Sequence, residues 1–294
     1  MKIKKKLPQL TLNLIFVVVS LLMIFPFVLL VSTSLSNETD IAIYGTSIIP
    51  RKIDLAAYKY VWKNGNMILD AYKVTGFVSI VAMVLATFLK SLIAYPLSRM
   101  NYRRRNFVAF YLFFTMLFHG GMVPTYILIT RYLHLDNTLW VYILRGLLSP
   151  WHIFMIRTFF QGVPNEIVEA ARIDGMSEYG IYLKMMIPLS KPVIASVALF
   201  VFLTKWNDWM ASMLYITNEK LYTLQYLLQK ILKDIDVIRQ NMEMGIDVGV
   251  NLAEMPTETM RMAMAVVVAG PALVVFPFFQ KYFAKGLTVG SVKG

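Results

Sequence analysis

The chain has 294 residues, of which 57% are hydrophobic and only 16% carry a charge. A soluble domain averages about a quarter charged residues, so one polytopic membrane unit fits the composition better than two soluble domains. The net charge of +12 does not indicate nucleic-acid binding, because the basic residues cluster beside apolar runs. The chain contains no cysteine, which excludes disulfides, thiolate metal sites and a cysteine nucleophile.

Six apolar runs predict an all-α fold with six transmembrane helices. The first run has no charged residue and is long enough to cross about 30 Å of hydrocarbon as a helix. The later runs contain glycine, proline or isolated charges, which membrane helices tolerate when neighbouring helices satisfy the backbone. In chain order the predicted spans are residues 11–31, 76–97, 107–130, 138–160, 192–215 and 262–280.

The basic start followed by an apolar run also fits a secretory signal peptide. The run is longer than a typical signal-peptide core, and residues 32–36 offer no clear small-x-small alanine cleavage site. We therefore predict that the first span is retained in the mature protein.

Lysine and arginine in the flanks predict the orientation. If the spans alternate, four basic flanks fall on one side, which makes that side and both termini cytoplasmic. The segments 32–75 and 217–261 then face outside. The basic flanks contain Lys2, Lys4, Lys5 and Lys6; Arg99, Arg103, Arg104 and Arg105; Arg172, Lys184 and Lys191; and Lys281, Lys285 and Lys293.

A polar insert separates the fourth and fifth spans. Pro164 suits the first turn of a helix over residues 165–173, and Gly175 suits a left-handed helix end. A second short helix over 177–186 is predicted to stop at Pro188. Two short helices on the cytoplasmic surface suit docking into a groove of a partner. From the residues alone, an ordinary amphipathic loop packed on the protein's own surface is equally supported.

The insert resembles the EAA loop of the importer permeases of ATP-binding-cassette transporters. The matching residues are Glu169-Ala170-Ala171, Gly175 and Met185-Met186-Ile187-Pro188, with Met185 and Ile187 in place of isoleucine and leucine. Three further blocks and the pair Asp174-Gly175 are similar to the carbohydrate-uptake branch, which includes the smaller permease of maltose-type importers and the permeases for complex oligosaccharides. These blocks are Tyr95-Pro96-Leu97-Ser98-Arg99, Trp206-Asn207-Asp208-Trp209 and the tail 286–294.

The resemblance implies a type I importer permease fold in the bacterial cytoplasmic membrane and a subunit without covalent chemistry. It implies a second permease as heterodimer partner, two ATPase subunits that bind the ATP, an extracytoplasmic solute-binding protein and an oligosaccharide substrate. No cofactor is expected on this chain. The residues expected to couple to the ATPase are Glu169, Ala170, Ala171, Asp174, Gly175, Ile187 and Pro188.

On this basis the chain divides into three parts. Residues 1–72 form the N-terminal tail, the first span and an extracytoplasmic segment. Residues 73–283 form a permease core with five spans and the cytoplasmic coupling loop 161–190. Residues 284–294 form a cytoplasmic tail.

Charged and aromatic residues within the spans are the candidates for the substrate pathway, because intramembrane charges often mark function. Lys205 and Asp208 have the spacing of a pair on one helical face, so a structural ion pair is at least as well supported as a substrate contact. The two tryptophans suit either sugar-ring contact or packing. The full candidate set is Arg145, Lys205, Trp206, Asn207, Asp208 and Trp209.

Arg145 has no acidic neighbour in its own span, so it either pairs with another helix or faces a wet pathway. In the second case an acidic, uronate-containing oligosaccharide becomes a candidate substrate. Lys90 lies about two turns from the end of its span, and we expect its side chain to reach the interface.

The outer segment 221–238 shows helical spacing of apolar residues. It suits the membrane surface, the pathway mouth or contact with the binding protein, and we favour packing against the protein's own outer loops.

Rival classes of membrane protein are less well supported. A secondary transporter often shows inverted repeats, and we find no convincing internal repeat. An intramembrane enzyme needs a catalytic or metal constellation, but His119, His134 and His152 are scattered and no His-Glu-x-x-His spacing occurs. We predict no catalytic residues and no metal site. A structural scaffold would lack an ATPase partner.

Overall fold

The computed structural model describes residues 6–63, 65–118, 120–244 and 258–290. Several residues used in the predictions lie outside these ranges: Lys2, Lys4, Lys5, His119 and residues 291–294 of the predicted tail.

The described residues are almost entirely helical, in agreement with the predicted all-α class; the β structure found in them is an isolated bridge between Ser36 and Ile53. Short π-helical turns cover Leu128–Tyr132 and Tyr182–Met186, and a 3-10 turn covers Glu219–Leu221. The α-helices are α1 (Lys6–Ser34), α2 (Glu38–Tyr44), α3 (Ala56–Lys63), α4 (Gly65–Ser98), α5 (Arg105–Leu117), α6 (Met122–Ile127), α7 (Leu139–Leu144), α8 (Pro150–Gln161), α9 (Asn165–Ile173), α10 (Glu178–Ile181), α11 (Ile187–Leu189), α12 (Lys191–Trp206), α13 (Met210–Tyr215), α14 (Leu224–Glu243) and α15 (Glu258–Gly290).

Three helices in the described residues are long and apolar enough to cross a membrane: Thr11–Ser34, Gly65–Ser98 and Glu258–Val275. They correspond to the first, second and sixth predicted spans. Two further pairs of helical segments are joined by a sharp bend. One pair is α5 with the run Met122–Tyr132, and the other is the run Glu178–Leu189 with α12. The number of spans rises to five if each pair forms one span. The count of six spans and the cytoplasmic side of both termini stay predictions.

The predicted fourth and fifth spans are not single continuous helices. The fourth breaks at residues 145–149, between α7 and α8, where Gly146 adopts a φ of +70°. Pro150 then occupies the first turn of α8, where its missing N–H is tolerated. The fifth breaks at residues 207–209, between α12 and α13. The breaks contain polar residues such as Arg145, Asn207 and Asp208. Hydropathy summed over a whole span does not reveal them, because the apolar residues on both sides dominate the sum.

The chain divides into two compact units, one comprising Met1–Ile68 and Leu228–Gly270 and the other Leu69–Leu227 and Pro271–Gly294. In the first unit, the Glu38 carboxylate accepts hydrogen bonds from the backbone N–H groups of Glu258 and Thr259, at 2.8 and 2.9 Å. A carboxylate at this position accepts hydrogen bonds from N–H groups that have no partner within α15. Its negative charge also interacts favourably with the positive end of the α15 dipole. This contact explains why α2 and the start of α15 belong to the same unit.

The helix predicted over 221–238 is confirmed in type, although α14 begins at Leu224 and continues to Glu243. Leu224 and Leu227 are fully buried. In the second unit, the backbone N–H of Leu224 donates to the Thr75 hydroxyl at 2.8 Å. The start of this helix therefore packs on the protein itself, as favoured from the sequence.

The predicted orientation is testable by labelling, because the chain has no cysteine. Asn101 and Lys220 are both exposed and lie on opposite predicted sides. A membrane-impermeant maleimide should label Lys220→Cys in intact cells, whereas Asn101→Cys should react only after the membrane is permeabilised. The reverse pattern would overturn the orientation.

Candidate functional site

A cavity of about 730 Å³ lies in the second unit, where the helices of the predicted fourth and fifth spans are interrupted. Its wall includes parts of α4, α6, α8, α12 and α13 and both breaks. Its lining includes two lysines, an arginine, a histidine and an aspartate: Lys90, Lys205, Arg145, His152 and Asp208. Three of the predicted pathway residues are therefore brought together with two that the sequence did not assign to a site.

Arg145 and Asp208 form a salt bridge across the two breaks, with Nη2 and Oδ2 2.6 Å apart. Asp208 is largely buried, and its Oδ1 accepts a hydrogen bond from the backbone N–H of Ala211 in the first turn of α13. The predicted pairing of Lys205 with Asp208 on one helical face is wrong, because α12 ends at Trp206 and leaves Asp208 in the break. Arg145 both finds a partner on another span and lines the cavity.

Lys205 forms hydrogen bonds with backbone carbonyl groups at the break between α7 and α8. Its side chain is buried, and Nζ donates to the carbonyl oxygens of Tyr142 and Arg145, both at 2.5 Å. These carbonyls lie at the C-terminal end of α7, where helix carbonyls lack partners and a cation is favoured. Lys205 therefore holds α7 and α12 together.

Lys90 does not reach the interface as expected, since its side chain is 1% exposed. Its Nζ lies 3.2 Å from Nδ1 of His152 on α8. Within the described residues it forms no salt bridge. The cavity wall thus carries three cationic side chains and one carboxylate, an excess of two positive charges without counting His152.

The remaining candidates of the Trp206-Asn207-Asp208-Trp209 block lie outside the wall of this cavity. Trp206 is buried and stacks on Phe202, with ring centroids 5.5 Å apart. Asn207 donates from Nδ2 to the carbonyl of Leu203 at 2.9 Å. Contact of Trp206, Asn207 and Trp209 with a solute stays a prediction.

No group of three or more histidine, aspartate or glutamate residues in the described ranges is arranged to bind a metal ion.

The polar insert, called here the 161–190 segment, begins with a helix whose bounds match the predicted 165–173. Pro164 is its N-cap rather than its first helical residue. Gly175 has a φ of +77°, as predicted. The N–H of Met176 donates to Ala171 and that of Gly175 donates to Arg172, both at 3.0 Å. This is the Schellman arrangement that ends a helix at a left-handed glycine.

The second half of the segment is a helical run of three parts. The Ser177 side chain caps it by accepting from the N–H of Gly180. The run passes through α10, a π-helical turn and α11, so it continues past Pro188 to Leu189 instead of stopping at the proline. It then turns by 83° into α12.

The 161–190 segment presents apolar side chains on its surface. Ile173 is 87% exposed and Tyr179 is 62% exposed, and Leu183 and Leu189 are exposed as well. Apolar side chains that remain exposed in a group mark protein contact surfaces. Of the predicted coupling residues, Glu169, Ala170, Asp174, Gly175 and Pro188 are exposed, Ile187 is half-buried and Ala171 is buried.

A row of three residues at the C-terminal end of α4 holds the segment in place. This α4 stripe comprises Ser91 and Tyr95, which share one face of α4, and Arg99, which follows the last residue of the helix. Ser91 Oγ lies 2.7 Å from the Tyr182 hydroxyl, and the Tyr95 hydroxyl donates to Glu178 at 2.6 Å. Arg99 Nη2 donates to the carbonyl of Phe160 at 2.7 Å.

Sequence reasoning did not identify the stripe or Glu178 as functional. The available signal was the four-residue spacing of polar residues within and just after an apolar helix. Tyr95 and Arg99 belonged to a block noted only for its resemblance, and their contacts lie more than 60 residues away in the chain.

Comparison with known proteins gives concordant matches. A model of binding-protein-dependent transport system inner membrane components matches residues 6–289. Protein LplC of Bacillus subtilis (strain 168) is 36% identical over 271 residues, which cover 92% of this chain and 90% of LplC. The polygalacturonan/rhamnogalacturonan transport system permease protein YtcP of the same organism is 34% identical over 275 residues, or 94% of each chain.

A solved structure supports the same conclusion. The crystal structure of a bacterial ABC transporter involved in the import of the acidic polysaccharide alginate contains a chain that superposes with a TM-score of 0.79 and 26% identity. The match covers 96% of this chain and 98% of that chain. The type I importer permease fold is thereby confirmed. The chain belongs to the family of binding-protein-dependent transport system inner membrane components, the multi-pass, non-catalytic permease subunits of ABC importers.

Proposed function

We propose that the protein is the transmembrane subunit of an ATP-driven importer of oligosaccharides, with a preference for acidic, uronate-containing ones. It forms the pathway with a second permease, and an extracytoplasmic binding protein delivers the solute. Two ATPase subunits bind the ATP, and one docks on the 161–190 segment in the cytoplasm. The family assignment leaves no support for the rival secondary transporter.

The observation that carries this proposal is the surface of the 161–190 segment. Two short helical runs joined by Gly175 expose apolar side chains, above all Ile173 and Tyr179, which suits insertion into a groove of a partner. An ATPase shifts the permease between conformations only if it binds them with different affinity. A segment with a fixed helix end transmits the movement of a bound ATPase to the spans better than a mobile loop does.

The preference for acidic solutes is supported by the charge of the cavity. Lys90 is buried without a carboxylate partner in the described residues, and Arg145 and Lys205 add positive charge that Asp208 only partly offsets. Buried cations in a membrane segment are expensive and mark ion or substrate pathways. A carboxylate on a passing sugar would supply the missing counter-charge. YtcP and the alginate transporter are both named for acidic polysaccharides.

Gentle purification from native membranes tests the assembly. The chain should be recovered with an ATPase and a second permease, and ATP hydrolysis should respond to the loaded binding protein. An active transporter recovered as this chain alone would contradict the proposal.

Replacing Gly175 should impair coupling. A Cβ atom added there would meet no heavy atom within 4 Å, so the penalty of Gly175→Leu comes from its left-handed backbone and is about 1–2 kcal/mol. We expect the variant to lose the ATPase or to hydrolyse ATP without uptake. Gly175→Asn is the control, since asparagine tolerates this conformation. Normal uptake by Gly175→Leu would remove the assignment.

Replacing Lys90 tests the acidic preference without breaking a salt bridge. Because a hydrogen bond to a charged group contributes about 1.5–3 kcal/mol, Lys90→Gln should lower uptake of a uronate oligosaccharide about tenfold relative to a neutral one of equal length. Lys73→Gln is the control, an exposed lysine on the same helix. An unchanged ratio of acidic to neutral uptake, or equal loss of both, would contradict the preference.

A further inference from the structure

Glu178 is the point at which three helices meet. It begins α10, and its two carboxylate oxygens have different partners. Oε2 accepts from the hydroxyl of Tyr95 on α4 at 2.6 Å, and Oε1 accepts from Nε of Arg172 on α9 at 2.7 Å. One side chain therefore ties both halves of the 161–190 segment to α4.

The two contacts differ in character. The Arg172–Glu178 pair is partly exposed, with side chains 34% and 55% accessible, and such pairs contribute little to stability. Tyr95 is buried, and its short hydrogen bond to an ionised acceptor is of the stronger kind. Glu178 lies in the predicted cytoplasmic loop, and hydrogen bonds from the Tyr95 hydroxyl, the larger cause, and from Arg172 hold its pKa below its usual range. The Tyr95 contact thus fixes the position of Glu178 against α4.

The same helix reaches the cavity. Lys90 precedes Tyr95 by five residues on α4, about 7.5 Å along the axis, and lines the cavity wall. Ser91 and Tyr182 make a second, buried contact one turn from Tyr95. A displacement of α9 would be carried through Glu178 to Tyr95 and along a continuous helix to Lys90.

We propose that Glu178 is a positioning residue that makes α4 move with the 161–190 segment, so that ATPase closure is conveyed to the cavity through the Tyr95–Glu178 contact. The inference rests on the proposed docking of the ATPase on that segment. It predicts that loss of this contact lowers the solute moved per ATP without loss of the ATPase.

The test uses the full transporter in proteoliposomes, with this chain, its partner permease, the ATPase subunits and the binding protein. The variants are Glu178→Gln, Tyr95→Phe and the double variant. Asp70→Asn is the matched control, since Asp70 lies on the same helix in an exposed pair with Lys73. Solute moved and ATP hydrolysed are measured together, along with ATPase content and melting temperature.

Each single variant should lower the solute moved per ATP about tenfold, with the ATPase still bound and the melting temperature lowered by no more than about 6 °C. The double variant should be no worse than Glu178→Gln alone, because Tyr95→Phe removes the donor and Glu178→Gln the ionised acceptor of the same contact. Asp70→Asn should match the parent. If Glu178→Gln does not fold, Tyr95→Phe, which removes only a hydroxyl, decides the test.

Three results would overturn the proposal: a parental ratio of transport to hydrolysis in Glu178→Gln, loss of the ATPase from that variant, or additive defects in the double variant. Failure of the proposed function would look different, since the parent itself would then lack a bound ATPase or ATP-dependent uptake.

Discussion

The salt bridge between Arg145 and Asp208 joins the predicted fourth and fifth spans at the points where each is interrupted. The hydrocarbon core offers no water to free carbonyl and N–H groups, so an interrupted helix persists only where protein groups satisfy its backbone. Lys205 does this for the carbonyls at the end of α7, and Asp208 does it for an N–H at the start of α13. These charges make the breaks possible, and the breaks make the cavity.

The cavity and the 161–190 segment are linked by α4. Its interior carries Lys90 on the cavity wall, and the α4 stripe near its C-terminal end contacts the 161–190 segment and its flank. In the proposed function the arrangement separates two tasks, since the charges in the cavity are assigned to the solute and the stripe to coupling with the ATPase. A single helix without a break over 34 residues is well suited to connect them.

The sequence allowed the local features to be predicted. Long apolar runs identify α1, α4 and α15, because hydropathy over about 20 residues reflects the thickness of the bilayer. The bounds of α9 and the left-handed Gly175 follow from local capping preferences. The resemblance of the EAA loop correctly indicated the family.

The site itself depended on contacts that local patterns do not contain. Arg145 and Asp208 are 63 residues apart, and their pairing requires both helix breaks. Lys90 is buried because α8 packs against α4. The expectation that its side chain reaches the interface rested on its position within α4 alone. In the sequence, Glu178 is an ordinary acidic residue in the first turn of a helix. The structure adds its contact with Tyr95, which lies 83 positions away.

The central claim is that α4 and the 161–190 segment move as one body when the ATPase closes. It is tested most directly by spin-label distances in the full transporter, since a chain without cysteine accepts labels at chosen sites. Labels at Asn101, just after α4, and at the exposed Lys184 should give the same distance distribution with and without trapped nucleotide. The distribution between Lys184 and Lys220 should change in the same samples. A shift in the Asn101–Lys184 distribution on nucleotide trapping would contradict the account.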